Sequence, residues 1–541
     1  MSSLSVQQQE QLQGKFTSVI YSLIRDQQYG DAVEILQLLV QDFPRSRAAL
    51  SLLAYCQYFA QDFFGAATSY ETLVQVFPDV EGYKVHYAQS LYKAGMFAEA
   101  LQASLAVSDD PQHRGRMLQL QASIKFAQDE LAGCRSLVDR CDQDDADVSI
   151  FRACILFKEG KFEEAQRGFE EATQALGYRP HLTYNLGLCH YEQQNYADAL
   201  RSIGVIIERG VNDHPELSVG SNNGEHAVQS VGNSQLLAMT ALVEAFNLKA
   251  AIEYRLENNT IAQSALNNMP PRREEELDPI TLHNQALMNF DKEPQAALRK
   301  LNWLIANPPF PPPTFQNLLL LYIENKCHTI AADVLADNAH LTFECLSQPM
   351  YDFIDAHLMS VSDPAEAFRR FEGLKQKHVA TLRARTKMIS DARSTGVKDA
   401  VKKALNAYDT TLEEYIPCLM AQAHIYWERG NYLQVENIFR QSAEFCSEHE
   451  KWKLNVAHTF FMQEQDKFAE ALRYYEPFVQ QFDESICDVQ VRPCCRSRLA
   501  SPLLSRLVRV QNGLTTTLPP HPRAHRVHRP SCLPTCASRI L

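Results

Sequence analysis

A chain of 541 residues with 45% apolar and 22% charged residues has the make-up of an ordinary folded protein, and no uninterrupted apolar stretch approaches the roughly 20 residues that cross a bilayer. The net charge of −13 is unevenly placed, because residues 485–541 carry nine Arg, no Lys and one acid, Asp488, and so leave −21 on the rest. Such an acidic body excludes unaided nucleic-acid binding, since phosphates need a concentrated basic surface, and the first ten residues lack the basic and apolar regions of a secretory signal.

From the N-terminal end, an alanine returns every 34 residues at Ala32, Ala66 and Ala100. The unit is plainest over residues 51–78: an apolar stretch to Phe59, a turn at Gln61, Asp62 and Phe63, then Ala66, Tyr70, Leu73 and Pro78. Small residues let two antiparallel helices approach, bulky ones fill the gap, and proline stops the second helix. That is the pattern of a tetratricopeptide repeat. Carried forward, the register puts Gly133, Ala165, Ala199, Ala262, Ala297, Ala331, Val435 and Ala471 at the same place. The reading is an all-α, right-handed superhelical solenoid in which neighbours must stack, because one unit cannot bury its own faces. Gly160 and Gly430 stand where a first helix would end in a left-handed residue.

Departures from the period divide the chain. After a lead over residues 1–15, a first block of repeats spans 16–210. An inserted polar loop follows over 211–235, with Gly210 to Ser234 read as outside helix. A second block covers 236–350, a long helical hairpin 351–416, and a third, incomplete block 417–484. A basic, disordered Pro/Arg-rich tail covers 485–541. Within the second block, the acidic run of residues 270–279 is read only as favouring the start of the next helix. The proline-rich residues 307–313 read as a rigid turn between repeats, with a polyproline ligand as the alternative. In the hairpin, Phe368, Phe371 and Leu374, then Val401, Leu405, Tyr408, Leu412 and Ile416, keep helical spacing over two long helices meeting near Ser394, Thr395 and Gly396. A coiled coil that binds a partner and a hairpin packed on its own solenoid both fit.

The chain has no phosphate loop, dinucleotide fingerprint, nucleophile elbow or paired metal ligands within the repeats. No catalytic residue, cofactor or metal is expected, and the protein is read as no enzyme. His86, His190, His424 and His458 each stand alone, and nine of fourteen cysteines are scattered singly, as buried reduced thiols are. A histidine and cysteine cluster in the tail, Cys494, Cys495, His521, His525, His528, Cys532 and Cys536, is interrupted by Pro530 and Pro534 and makes a poor zinc site. Function then falls to the inner surface formed by the first helices. Eight residues before the recurring small residue stand Tyr58, Tyr92, Phe157, Tyr191, Tyr254 and Trp427. These could form an aromatic stripe along a groove for an extended, proline-rich or apolar segment of another protein, or pack between neighbouring helices. A carboxylate clamp of the chaperone-binding kind is disfavoured, because the corresponding places hold Thr17, Tyr21, Ser51 and Tyr55, none of them cationic.

Longer strings are more specific. The strings from Tyr21 to Asp26, Pro44 to Cys56, Ala241 to Tyr254, Leu277 to Asn289, Ala331 to Thr342 and Trp452 to His458 resemble the tetratricopeptide repeat protein 30 family, the fleer-type subunit of intraflagellar transport complex B. The similarity runs from about Phe16 to Val489, after which the family continues with further repeats and this chain reads as truncated or divergent. The resemblance implies a non-enzymatic scaffold that wraps an extended, proline-containing segment of another complex B subunit. It also implies support for cilium assembly and axonemal tubulin polyglutamylation, and a place in the axoneme, basal body region and cytoplasm. The anterograde kinesin is a further candidate partner; nucleic acid and membrane insertion are not expected. A general cytosolic tetratricopeptide adaptor for peptide segments is the alternative. The inserted loop and the long-helix interruption look like family features, and the family supplies no catalytic residues.

Overall fold

The computed structural model describes residues 16–107, 113–142, 145–220, 230–256, 258–290, 292–396, 398–463 and 467–481; the tail and its histidine and cysteine cluster lie outside the described residues. Among the described residues all regular structure is helical, and no helix is long and apolar enough to cross a membrane. The chain falls into two compact units, the first reaching Met288 and the second beginning at Asn289.

Helices alternate in pairs, from Phe16–Arg25 with Tyr29–Asp42 through Pro180–Glu192 with Tyr196–Asp213 in the first unit. The recurring small residue is the fourth of the second helix in each pair, and its backbone N–H closes the first helical hydrogen bond, as from Ala66 to the Asp62 carbonyl at 2.9 Å. Ala32, Ala66, Ala100, Ala165, Ala199, Ala262 and Ala331 are fully buried there. With no atoms beyond Cβ, alanine lets the paired backbones close up while keeping good helix propensity.

The fourth unit corrects the sequence register. Cys134, not Gly133, holds the alanine place: its N–H bonds to the Glu130 carbonyl at 3.0 Å and it is fully buried, while Gly133 is half-exposed. The left-handed turn residue confirms this, since it stands five residues before the small one at Gln27, Gln61, Gly95, Asp129, Gly160, Gln194, Lys326 and Gly430. Gly160 and Gly430 do end their helices in that conformation, with φ of 79° and 68°. Gly95 does likewise, and at the other five places glutamine, aspartate or lysine occupies it, at a cost that glycine avoids.

Stacking supplies the core. Phe126, Phe151 and Phe169 fill one cluster drawn from successive pairs, with Cys134, Cys154 and Ala165 as its small members. Each such ring contributes roughly 1.5–3 kcal/mol by leaving water. Seven of the nine described cysteines are buried, and burial pushes the Cys134 and Cys189 thiols up to about 12, so they serve as small core residues and not as nucleophiles.

The inserted loop begins later than its sequence suggests. Helix Tyr196–Asp213 runs through Gly210, which is buried and faces Leu242 so closely that a Cβ would come within 2.7 Å of that side chain. Glycine at this position serves close helix approach, not loop formation.

In the second unit, the proline-rich residues form the connection between helices Pro294–Ala306 and Pro313–Glu324. The long hairpin consists of Pro364–Thr395 and Lys398–Trp427, joined at Gly396 with φ of 71°. Its second helix does not stop at Ile416: it continues through Pro417 to Trp427 and serves as the first helix of the next pair, packing on Tyr432–Cys446 through Tyr415, Leu419 and Phe439. Of the apolar residues on the last described helix, Phe468 is exposed, whereas Tyr475 is buried with its hydroxyl on His458 Nδ1.

Candidate functional site

The six aromatics of the expected stripe sit at the hairpin turns. Tyr58 meets Phe63 at 5.4 Å between ring centroids, Phe157 meets Phe162 at 5.3 Å, and Trp427 meets Tyr432 at 5.1 Å, all edge to face. Tyr92 and Tyr191 meet the ring five residues on in tilted contacts, with Phe97 at 6.0 Å and Tyr196 at 5.9 Å, and both are buried. Each ring thus ties the end of a first helix to the start of its partner. Tyr254 has Asn259 at that place instead, and it, Tyr58, Phe157 and Trp427 remain half-exposed. Once Cys134 sets the register, Phe126 joins the series, fully buried and with the Lys158 ammonium 4.4 Å from its ring.

The first unit carries an open cavity of about 330 Å³. Three successive first helices contribute to its lining: Tyr184 from Pro180–Glu192, Val243, Leu248 and Ala251 from Leu242–Arg255, and Ile280 and Asn284 from Pro279–Asn289. The other wall is formed by Gln61, from the turn of the second pair, together with Asn233, Ser234, Leu237 and Ala238 at the end of the insertion. Gln61 and Asn233 are joined by a hydrogen bond of 2.8 Å from the glutamine amide to the asparagine carbonyl. The path of the stacked pairs therefore returns a residue of the second pair to one 172 positions later.

Both arms of the insertion are tied to the connector before Pro279. Gly220 N–H donates to the Asn268 carbonyl at 3.0 Å and Val231 N–H to the Pro271 carbonyl at 2.9 Å. The Asn233 side-chain amide donates to the Glu276 carbonyl at 2.8 Å. The Ser230 hydroxyl and the Arg273 backbone N–H donate to the Glu276 carboxylate and hold it below the usual range. The acidic run thus forms its own 3-10 turn, Glu274–Glu276, and it is Asp278 that caps the next helix, accepting from Thr281 N–H at 2.9 Å. The connector does more than start a helix, because it anchors the loop.

Polar groups inside the cavity form one chain. Arg272, almost wholly buried, donates from Nη2 to Asp278 at 3.0 Å and from Nη1 to the Asn233 side-chain oxygen at 3.3 Å. The Thr281 hydroxyl donates to Asp278 at 2.6 Å and accepts from the Asn247 amide at 2.9 Å. The Asn284 amide donates to Asn247 Oδ1 at 2.9 Å. Two atoms at the edges of this chain, Arg272 Nε and Asn284 Oδ1, are buried without a hydrogen-bond partner. Leaving such groups unpaired costs roughly 1–3 kcal/mol each, and both lie beneath the cavity wall with almost no accessible surface. Asp278 already neutralises the arginine, and Glu244 also lines the cavity, so an anionic ligand is disfavoured there.

The isolated histidines lie elsewhere. His86 is exposed and lies beside Gln89 and Tyr70, and its pKa is lowered, chiefly by partial desolvation and then by Arg116. His424 contacts Glu428 at 3.1 Å, and burial keeps its pKa below the usual range. Among the described residues no cluster of three or more His, Cys, Asp or Glu could hold a metal ion.

Residues 314–499 match the profile of the intraflagellar transport protein 70 C-terminal domain, so the match runs past Val489. Residues 48–79 and 152–204 match tetratricopeptide repeat profiles. Intraflagellar transport protein 70A of Xenopus tropicalis is 51% identical over 476 residues, covering 88% of this chain and 73% of the relative. The Danio rerio protein is 50% identical over 476 residues and the Homo sapiens protein 49% over 486, with the same shares covered. These relatives and the resemblance to tetratricopeptide repeat protein 30 are one family under two names, and the chain belongs to the intraflagellar transport protein 70 family.

Proposed function

We propose that the protein is a non-enzymatic scaffold subunit of intraflagellar transport complex B, and that the inner face of its first unit holds an extended, proline-containing segment of a neighbouring subunit. The observation that carries this is the cavity between the first helices and the inserted loop, open to solvent and apolar over most of its wall. A prolyl or aliphatic residue of that segment would cover Leu248, Ala251 and Ile280. Tyr58, Phe157 and Tyr254, in the same unit, keep an exposed edge with which to extend the contact.

On this reading the protein works in the cilium, in the axoneme and basal body region, and also occurs in the cytoplasm. It supports cilium assembly and axonemal tubulin polyglutamylation as a carrier and not as the ligase, with the anterograde kinesin as a further partner. Affinity purification from ciliated cells tests it. Complex B subunits are expected to co-purify; their absence at good yield would instead favour a general cytosolic adaptor.

A further inference from the structure

The long hairpin has a basic tip on an otherwise acidic chain. The apolar cluster that seats it on the following repeats ends at Leu382 on the first helix and at Tyr408 on the second. The ion pair from Arg383 to Glu444 at 3.1 Å marks the same level. Between those levels, over residues 384–407, Ile389 and Ala404 are buried where the two helices face each other on either side of Gly396. The first helix continues for twelve residues past Arg383, to Thr395. That is about 18 Å at 1.5 Å per residue.

Residues 384–407 contain six Lys or Arg and two Asp, a charge of +4 in a chain of net −13. Residues 408–414, at the base, hold Asp409, Glu413 and Glu414 and no cation. Lys387, Arg393 and Lys402 are exposed and form no ion pair among the described residues. The end of the tip lies beyond the Debye length of about 8 Å at physiological ionic strength, so the acidic residues at the base do not cancel the charges nearest Gly396.

We propose that this tip is a docking surface for an Asp/Glu-rich segment of a partner protein. Charge complementarity selects the occupant. Nucleic acid is a poorer fit, because residues 384–407 include no aromatic side chain to stack on bases and only a short run of cations to follow phosphates. A lipid surface is a poorer fit because the same residues lack the aromatic anchors of an interfacial helix. The surface is separate from the cavity of the first unit, and the proposal stands whether or not that cavity holds a peptide.

The test uses the full chain and a labelled synthetic peptide of Asp and Glu, with binding followed by fluorescence anisotropy at low and physiological ionic strength. Binding is expected, weaker with salt, and reduced about tenfold or more in the triple variant Lys387→Glu, Arg393→Glu, Lys402→Glu. The neutral triple variant Lys387→Gln, Arg393→Gln, Lys402→Gln should fall between. A control reversing Arg25, Lys161 and Arg201 carries the same net charge and should bind within about twofold of the parent. No binding at low salt, equal loss in the control, or tighter binding of an oligonucleotide or a phosphatidylserine vesicle than of the peptide would overturn the proposal. Circular dichroism of each variant separates lost binding from lost folding.

Discussion

Leucine placed at Gly133 and at Cys134 should have opposite effects, because the two neighbours face opposite environments. At Gly133 a new Cβ meets nothing nearer than 3.8 Å, and the groups there are the flexible ends of Glu130 and Lys125. Glycine costs about 0.8–1.0 kcal/mol in a helix interior relative to alanine, and leucine nearly none, so Gly133→Leu should stabilise the unit by roughly 0.5–1 kcal/mol. Cys134 is fully buried against its paired helix, in the cluster with Phe126 and Ala153. Cys134→Leu adds volume to that contact and should destabilise by about 1–3 kcal/mol. A repeat array need not unfold as one unit, so the assay is native-state hydrogen exchange on peptides covering helices Arg114–Ala127 and Leu131–Val138. Slower exchange in the first variant and faster in the second is expected. Faster exchange in Gly133→Leu together with a tolerated Cys134→Leu would refute the corrected register and the hairpin geometry drawn from it.

Two further outcomes follow from the packing. Trp427 and Tyr432 meet edge to face at 5.1 Å, so a double-mutant cycle with alanine at each, read by hydrogen exchange over residues 420–446, should give a coupling of about 0.5–1.5 kcal/mol; additivity within about 0.3 kcal/mol would remove the stapling role. His458 is buried beside the Tyr475 hydroxyl, and burial lowers its pKa from 6.5 to about 4. The unfolded chain takes up that proton near pH 6.5 and the folded chain only near pH 4, so its contribution is complete above pH 6.5 and is lost as the pH falls towards 4. The loss is of the order of 3 kcal/mol for the last described helix pair. His458→Gln, whose side-chain oxygen can accept from Tyr475, should flatten the acid dependence of hydrogen exchange over residues 450–481; an unchanged dependence would assign it to other groups.

The fold was legible because close helix approach demands a small residue at one place, and the alanine period records that demand directly. It misled only where glycine and cysteine stand side by side and composition alone cannot say which faces the partner helix. The turns were half-legible: Gly160 and Gly430 announce a left-handed residue, whereas Gln61, Gln194 and Lys326 adopt it with no sequence mark. The aromatic stripe was visible as a period, but the period does not reveal that five of the six rings are occupied by the residue five places on. Arg272, Asn233 and Asn284 were not legible, because two lie in an aperiodic insertion and connector. Their meeting depends on the path that carries residue 61 round to residue 233. An asparagine at mid-helix, with Thr281 three residues before it, is the one local hint of a buried polar chain.

The central claim is that the cavity of the first unit holds the partner's segment. Ala238 lines it from the short helix Gln235–Thr240 and is half-buried, so Ala238→Trp should fill the space while leaving the polar chain from Arg272 to Asn284 intact. The direct measurement is the amount of complex B subunits retained on equal amounts of folded parent and Ala238→Trp chain, purified from ciliated cells. A reduction of about tenfold or more is predicted, equivalent to about 1.4 kcal/mol of binding. Retention equal to that of the parent would contradict the assignment of the cavity.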